Sequence, residues 1–193
     1  TIYLDLEKSY ANDILSFSEP HIYFEDNIKI NNKLDINSGI RLSGIVLSRQ
    51  SKFRVEPRIS AVYTIAPPFA LKAGFSRMTQ YFHLLTTSGI SSPSDLWVPA
   101  LKGLKPLRSD QWNVGFSYDW ANKLMISIEF YQKKLNCTTD YKNGASLLTD
   151  LIPWNEKTTQ GNGKAKGMEI SIEKQSGRFT GAFYYTFARA DRN

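Results

Sequence analysis

Glu129, Glu169 and Glu173 are the carboxylates of this 193-residue chain that could share acid and base roles, since such chemistry needs two groups held in different environments. Nothing in the sequence sets a nucleophile or a substrate pocket beside them. Each also falls on the polar side of a period-two pattern, where a wet surface needs charge for solvation. The chain is therefore not read as an enzyme, and no cofactor is expected. His21 and His83 have no His, Cys or acidic neighbour at ligand spacing, and a metal shell needs three or four ligands. Cys137 is the single cysteine, which excludes an intramolecular disulfide and any multi-cysteine metal site. Asn136-Cys137-Thr138 formally matches a glycosylation acceptor, a tripeptide that arises often by chance. Gly161-Asn162-Gly163-Lys164-Ala165-Lys166-Gly167 lacks phosphate-cradling spacing and a following helix, so it reads as a flexible loop entering a strand.

Recognition chemistry is better supplied. A connection from Arg77 to Arg108 carries Gln80, Tyr81, His83, Trp97, Lys102 and Arg108, which combine stacking surface with hydrogen-bond donors. Long loops on a rigid scaffold are common places for ligand contact. The plain alternative is a structural loop. The formal charge of +6 arises from 24 Lys and Arg scattered among 18 Asp and Glu. Without a basic block, nucleic acid is not an expected partner.

The elements that must carry such loops are strands. Trp112, Val114, Phe116, Tyr118 and Trp120 alternate with Asn113, Gly115, Ser117 and Asp119; Leu124, Ile126, Ile128 and Phe130 alternate with Ser127 and Glu129. Phe179, Phe183, Tyr185 and Phe187 alternate with Thr180, Ala182 and Thr186. A period of two is a strand signal, and one face of each strand is oily. A soluble barrel of lipocalin type turns that face inward around a ligand, and an adhesion or structural β module buries it; a transmembrane barrel turns it to lipid. No run reaches the roughly 18 apolar residues of a membrane helix, so any crossing is by strands.

Further strands are expected over His21 to Ile30, Leu34 to Leu47, Ile59 to Ile65 and Phe69 to Ser76. Residues 1–19 are mostly loop, although Ile2 and Leu4 could end an earlier strand. Tight turns fall at Asn31-Asn32-Lys33, at Ala66-Pro67-Pro68, at Trp120 to Lys123 and at Gln175-Ser176-Gly177. Longer connections fall over Ser48 to Glu56, Arg77 to Arg108 and Asn136 to Gly163. Short and long connections thus alternate, which in a meander puts tight turns at one rim and long loops at the other, as in outer-membrane barrels. Trp112 and Trp120 share a face eight positions apart, roughly 27 Å along the strand and about 20 Å along a barrel axis after tilt. The residues expected to face lipid are Phe69, Leu71, Phe75, Trp112, Val114, Phe116, Tyr118, Trp120, Ile126, Ile128, Ile170, Phe183, Tyr185 and Phe187.

Longer stretches of sequence point the same way. Tyr23-Phe24-Glu25-Asp26-Asn27-Ile28-Lys29-Ile30 followed by Leu34-Asp35-Ile36-Asn37-Ser38-Gly39-Ile40-Arg41-Leu42-Ser43 resembles a strand pair of TonB-dependent outer-membrane receptors. Glu56-Pro57-Arg58-Ile59-Ser60-Ala61 and Leu71-Lys72-Ala73-Gly74-Phe75-Ser76-Arg77-Met78-Thr79-Gln80-Tyr81 are similar to later strands of that family, the second leaving for an external loop. Pro106 to Gln111, Tyr141 to Ala145 and Lys166 to Glu169 continue the likeness in order. The resemblance implies an all-β, antiparallel up-and-down meander of about eight strands, part of a barrel of about 22 strands. It implies an outer-membrane location and import of a small-molecule or glycan ligand, of the siderophore, cobalamin or glycan class. Energy would come from an inner-membrane TonB-type complex acting through an N-terminal part. No plug domain and no signal peptide are recognisable, so residues 1–193 are expected to be one partial barrel domain, an internal piece of a longer protein.

Overall fold

Alternation of large apolar with small or polar side chains is met in the computed structural model by strands throughout. The structure describes residues 17–47, 50–85, 96–100, 103–121, 123–142 and 156–193, and among them there is no helix. The strands are β1 (Phe17–Ser18), β2 (His21–Asn31), β3 (Leu34–Leu47), β4 (Gln50–Ala66), β5 (Phe69–Gln80), β6 (Phe82–Leu85), β7 (Leu96–Pro99), β8 (Leu107–Trp120), β9 (Leu124–Tyr141), β10 (Thr158–Lys174) and β11 (Gly181–Arg192). One antiparallel meander runs β2-β3-β4-β5-β8-β9-β10-β11, and β6 pairs only with β7 as a separate hairpin. β1 continues the line of β2 along β3, with Phe17 opposite Leu47. The break falls at Pro20, which has no N–H to give the ladder but accepts the Gly44 N–H at 3.0 Å. The sheet is open: among the described residues β2 and β11 each pair on one side only.

Residues opposite one another in an antiparallel ladder share a face, so the register assigns every side chain. One row reads Phe187, Met168, Phe130, Val114, Ala73, Ala61, Ile36 and Ile28 from β11 across to β2. The next row toward the tight turns reads Tyr185, Ile170, Ile128, Phe116, Leu71 and Tyr63. All fourteen side chains expected to share an apolar face do share one. Phe75 packs on Trp112 with ring centroids 4.3 Å apart, and Phe69 on Tyr118 at 4.9 Å. Asp26 opposite Ser38 is a polar exception, beside the unpaired edge of β2. The other face carries hydrogen-bonded polar groups: Glu25 pairs with Arg58, Asn113 Nδ2 donates to Glu129 at 3.1 Å, and Ser127 meets Ser171 at 2.8 Å.

Several strands run further than their apolar pattern. The polar stretch Ser48 to Glu56 is not a long connection, because Gln50 to Glu56 belongs to β4 and pairs with β3 residue by residue. β9 likewise continues to Tyr141 and β10 begins at Thr158, so both ends of Asn136 to Gly163 are ladder. Backbone pairing needs no apolar side chain, so a strand that leaves the oily zone keeps its hydrogen bonds while losing its signal. Strict alternation of short and long connections therefore fails at residues 48–49. Gly161-Asn162-Gly163 is not a loop but lies in β10 at a register shift, opposite the extra residue Cys137, whose φ is 63°. Phe179 precedes β11 and does not extend its face. Ile2 and Leu4 lie outside the described residues, as does Asn143-Gly144. The tight turns stand where expected: Asn31 Oδ1 accepts the N–H of Lys33 at 2.8 Å and of Leu34 at 3.0 Å, and Pro67-Pro68 closes β4 to β5.

The oily zone crosses the rows diagonally. On β10 it lies between Lys174 and Lys166, which share the apolar face, and on β11 it ends below Arg189. On β8 and β5 it reaches one row higher, to Trp112 and Phe75 below Asp110 and Arg77. On β4, β3 and β2 it continues to Val55, Leu42 and Ile22, which stand in one row. The climb is about three rows, or roughly 20 Å, over seven strand steps of about 4.8 Å, a slope of roughly 30°. Gly167 on the polar face opposes Tyr131, and a Cβ there would lie 2.7 Å from the Tyr131 ring and 2.8 Å from the Phe187 carbonyl oxygen. Gly167→Val should cost about 1–3 kcal/mol by overpacking, read as a lowered unfolding midpoint of the intact protein.

Candidate functional site

At the rim away from the tight turns, β4 and β5 separate. Their pairing ends at Arg58 and Ser76, after which β5 runs on alone beside β8 to Gln80. The carboxylate of Glu56, which is 7% exposed, fills the gap. Its Oε1 accepts the Thr79 N–H at 3.0 Å and the Ser43 hydroxyl at 2.6 Å, while Arg41 Nε stands 3.8 Å from its Oε2. Tyr81 closes the seam. Its ring is buried against Ile45, and its hydroxyl donates to the Ser43 carbonyl at 2.9 Å. Burial raises the Tyr81 phenol above its ordinary pKa, partly offset by its bond to Ser43.

From that anchor the chain turns back as the β6–β7 hairpin. It folds over the polar face: Phe82 stacks on Phe17 at 4.5 Å, and both adjoin the side of β3 that carries Ile45 and Leu47. Leu85 and Val98 pack with Leu104 and against Tyr141 of β9. His83 shares the buried side with Leu85, opposite Val98, whereas Leu84 and Trp97 face outward. The far end is fastened by Lys52, whose ammonium donates to the carbonyls of Ala100 and Leu104, both at 2.7 Å. Burial, with Arg54 nearby, lowers the Lys52 pKa. Gln160 of β10 then clamps Lys105 through two backbone bonds of 2.9 and 3.2 Å and reaches Thr139 at 3.2 Å.

The proposed contact residues are thereby separated. Tyr81 and His83 lie in the seam between hairpin and wall. Gln80 Nε2 donates to the Phe82 carbonyl at 2.5 Å. Trp97 is 63% exposed on the hairpin's outer side. Arg108 is on the apolar-band face of β8, paired with Asp110 at 3.3 Å, so the wall stands between it and the hairpin. Lys102 lies outside the described residues. The connection from Arg77 to Arg108 is accordingly not a single loop but ladder, hairpin and ladder. Ser43, Lys52, Glu56 and Gln160, which hold the hairpin, are not among the expected contact residues, although Ser43 and Glu56 fall in the family-like strands; the local sequence signal is Ile45-Val46-Leu47, where three successive apolar residues break the period of two and mark the seat of the hairpin on the polar face. Among the described residues no group of three His, Cys, Asp or Glu side chains could hold a metal ion.

A family model described as "TonB dependent receptor-like, beta-barrel" matches residues 5–193. The chain belongs to that family. Its members are outer-membrane receptors and transporters rather than enzymes, and the bacterial outer membrane is this chain's location. Solved receptors share the fold. The FrpB iron transporter from Neisseria meningitidis (F3-3 variant) superposes with a TM-score of 0.67 at 12% identity, covering 93% of this chain and 27% of that one. The alcaligin outer-membrane receptor FauA from Bordetella pertussis gives 0.61 at 16% identity over 91% and 30%. The ferric-catecholate import receptor Fiu from E. coli K12 gives 0.61 at 15% over 89% and 28%. The chain spans less than a third of the length of each of these receptors. No curated protein sequence matches it.

His83 gives the receptor's hairpin a pH dependence. Burial lowers its pKa below the ordinary 6.5, partly offset by the Lys105 carbonyl, and its Nε2 has no partner among the described residues. A histidine that takes a proton more readily when unpacked loses packing free energy as pH falls from about 6.5 toward the lowered folded value. Amide protection across Phe82–Leu85, measured as exchange relative to the intrinsic rate at each pH, should therefore fall between about pH 7 and pH 5, and His83→Leu should remove that dependence. Glu56→Ala should cost about 1–3 kcal/mol locally by orphaning the Ser43 hydroxyl and Thr79 N–H, seen as faster proteolysis within residues 82–99.

Proposed function

We propose that this chain is the wall and part of the external rim of an active importer. It holds a scarce nutrient of the siderophore, cobalamin or glycan class at the cell surface and passes it inward on energy from a TonB-type inner-membrane complex. The observation that carries the reading is the diagonal apolar band. A barrel whose strands tilt by about 35–45° meets a flat membrane along a line oblique to its hydrogen-bond rows, and a slope of roughly 30° comes close to that range. The face carrying Phe116, Ile128 and Tyr185 then touches lipid, and the face carrying Glu129 and Arg58 lines a wet lumen. In a soluble barrel with an apolar cavity nothing requires such an offset.

The hairpin supplies the second half of the proposal. It leans over the polar face at the looped rim, so it overhangs the lumen mouth, with Trp97 as its exposed stacking surface. Gln80 and Lys102 stay in the contact set expected from sequence, Tyr81 and His83 act by holding the hairpin in place, and Arg108 drops out because it stands on the other face of the wall. The ferric-catecholate, alcaligin and iron receptors with the same fold support a small-ligand reading, without fixing which ligand this chain serves.

Two measurements test this. In the intact receptor reconstituted in bilayers, Phe116→Arg should cost about 2–4 kcal/mol, Trp112→Arg and Trp120→Arg less, and Ser117→Arg on the lumen face least. A penalty independent of depth would sink the membrane assignment of this face. Because the Ala100 N–H donates to the Tyr81 carbonyl at 2.7 Å, the ends of the hairpin lie side by side and residues 82–99 can be replaced by a short glycine linker. That variant should insert normally yet lose ligand binding and uptake; unchanged affinity would remove the hairpin from the site.

A further inference from the structure

Where the apolar band ends on β9, β10 and β11, the outward face carries like charges set against each other. Lys134 stands opposite Lys164, and one row below, Lys166 stands opposite Arg189. Like charges directly opposed across a ladder are destabilising, and here two such pairs adjoin on one face. The nearest carboxylates in register relieve Arg189 alone and leave the three lysines unpaired. Asp110 opposes Lys134, but its oxygens are taken by Arg77 at 2.6 Å and Arg108 at 3.3 Å. Asp191 opposes Lys164 and is held by Arg189 at 3.0 Å. No carboxylate of the described residues lies within ion-pair distance of Lys134, Lys164 or Lys166. On β5 and β8 the same rim is partly neutralised, one carboxylate, Asp110, serving both Arg77 and Arg108, so the excess positive charge is greatest on β9–β11.

Directly beneath the cluster lie Phe130, Met168 and Phe187. An anion that met these lysines from outside the wall would have its charged group at the level of the ammonium heads and apolar chains against the aromatic row. A free ion would satisfy only the first half. Resting on the reading of this face as lipid-exposed, we propose that the outward surface formed by Lys134, Lys164, Lys166 and Arg189 is a docking site for a phosphate-bearing lipid headgroup in the leaflet at the looped rim. The phosphate oxygens accept from the opposed lysines and cancel their repulsion, and the acyl chains pack on Phe130, Met168 and Phe187.

The test uses the intact receptor and its Lys134→Gln/Lys164→Gln/Lys166→Gln variant, both first inserted into phosphatidylcholine vesicles and then moved to maltoside micelles doped with phosphatidic acid or phosphatidylcholine. Native mass spectrometry counts retained lipid. The unmodified receptor should hold phosphatidic acid roughly 10- to 100-fold more strongly than the triple variant, with phosphatidylcholine held weakly by both. Inorganic phosphate at the same concentration should displace little. The charge-matched Lys29→Gln/Lys72→Gln/Lys133→Gln variant, altered on the lumen face, should behave as the unmodified receptor. Equal retention by the triple variant, or equal loss in the lumen-face variant, overturns the proposal, as does full displacement by inorganic phosphate, which would make the patch a free-anion surface. Failure of the unmodified receptor to enter vesicles would instead strike the membrane reading beneath it.

Discussion

Every strand of this sheet has to satisfy its backbone on both edges while its two rows of side chains meet different surroundings. Pairing by hydrogen bonds fixes which residues stand opposite one another, and the alternation of the pleat then carries that choice to both faces at once. A slip of one residue between any two strands would put Phe116 among the glutamates and Glu129 among the aromatics, so the register is set by solvent as much as by hydrogen bonds. The continuous pairing from β2 to β11 is the outcome, with register shifts among the described residues only at the tight-turn ends of β2 and β4 and at the rim opposite Cys137.

The same constraint explains why the rim is built differently from the wall. Above the oily zone both faces are wet, parity no longer matters, and strands can part. β4 and β5 do so, and the opening is filled by groups that complete each other: a carboxylate for an orphaned N–H, a phenol for a carbonyl, and an ammonium for two carbonyls of the returning chain. The hairpin is fixed both by these polar bonds at its ends and by the small apolar clusters of Ile45 with Tyr81 and of Leu85, Val98 and Leu104.

Much of the wall was legible in the sequence because burial in two media writes a period of two, and the family-like strands Tyr23 to Ile30 and Glu56 to Ala61 confirmed the order. The strand extensions were not legible. Gln50 to Glu56, with Phe53 and Val55 its only apolar residues, and the mostly polar Thr158 to Lys166 look like loop, since too little in their side chains reports backbone pairing. The site was only partly legible for a related reason. Trp97 stood out as an exposed stacking surface, but Glu56, Ser43 and Lys52 are ordinary strand residues whose roles come from the gap between β4 and β5. Arg108 was grouped with the hairpin by nearness in sequence, although parity sends it to the other side of the wall.

The unpaired edges of β2 and β11 bear on how such a sheet reaches its membrane. Each edge presents a line of N–H and C=O groups, and in hydrocarbon each unmet group costs several kcal/mol. A partly assembled wall is therefore shut out of the bilayer interior, however oily its face, until neighbouring strands close both seams. Insertion and closure become one event, and before it the exposed edges are sites for mispairing with other chains. The organism must shelter this segment between its synthesis and the moment the barrel shuts.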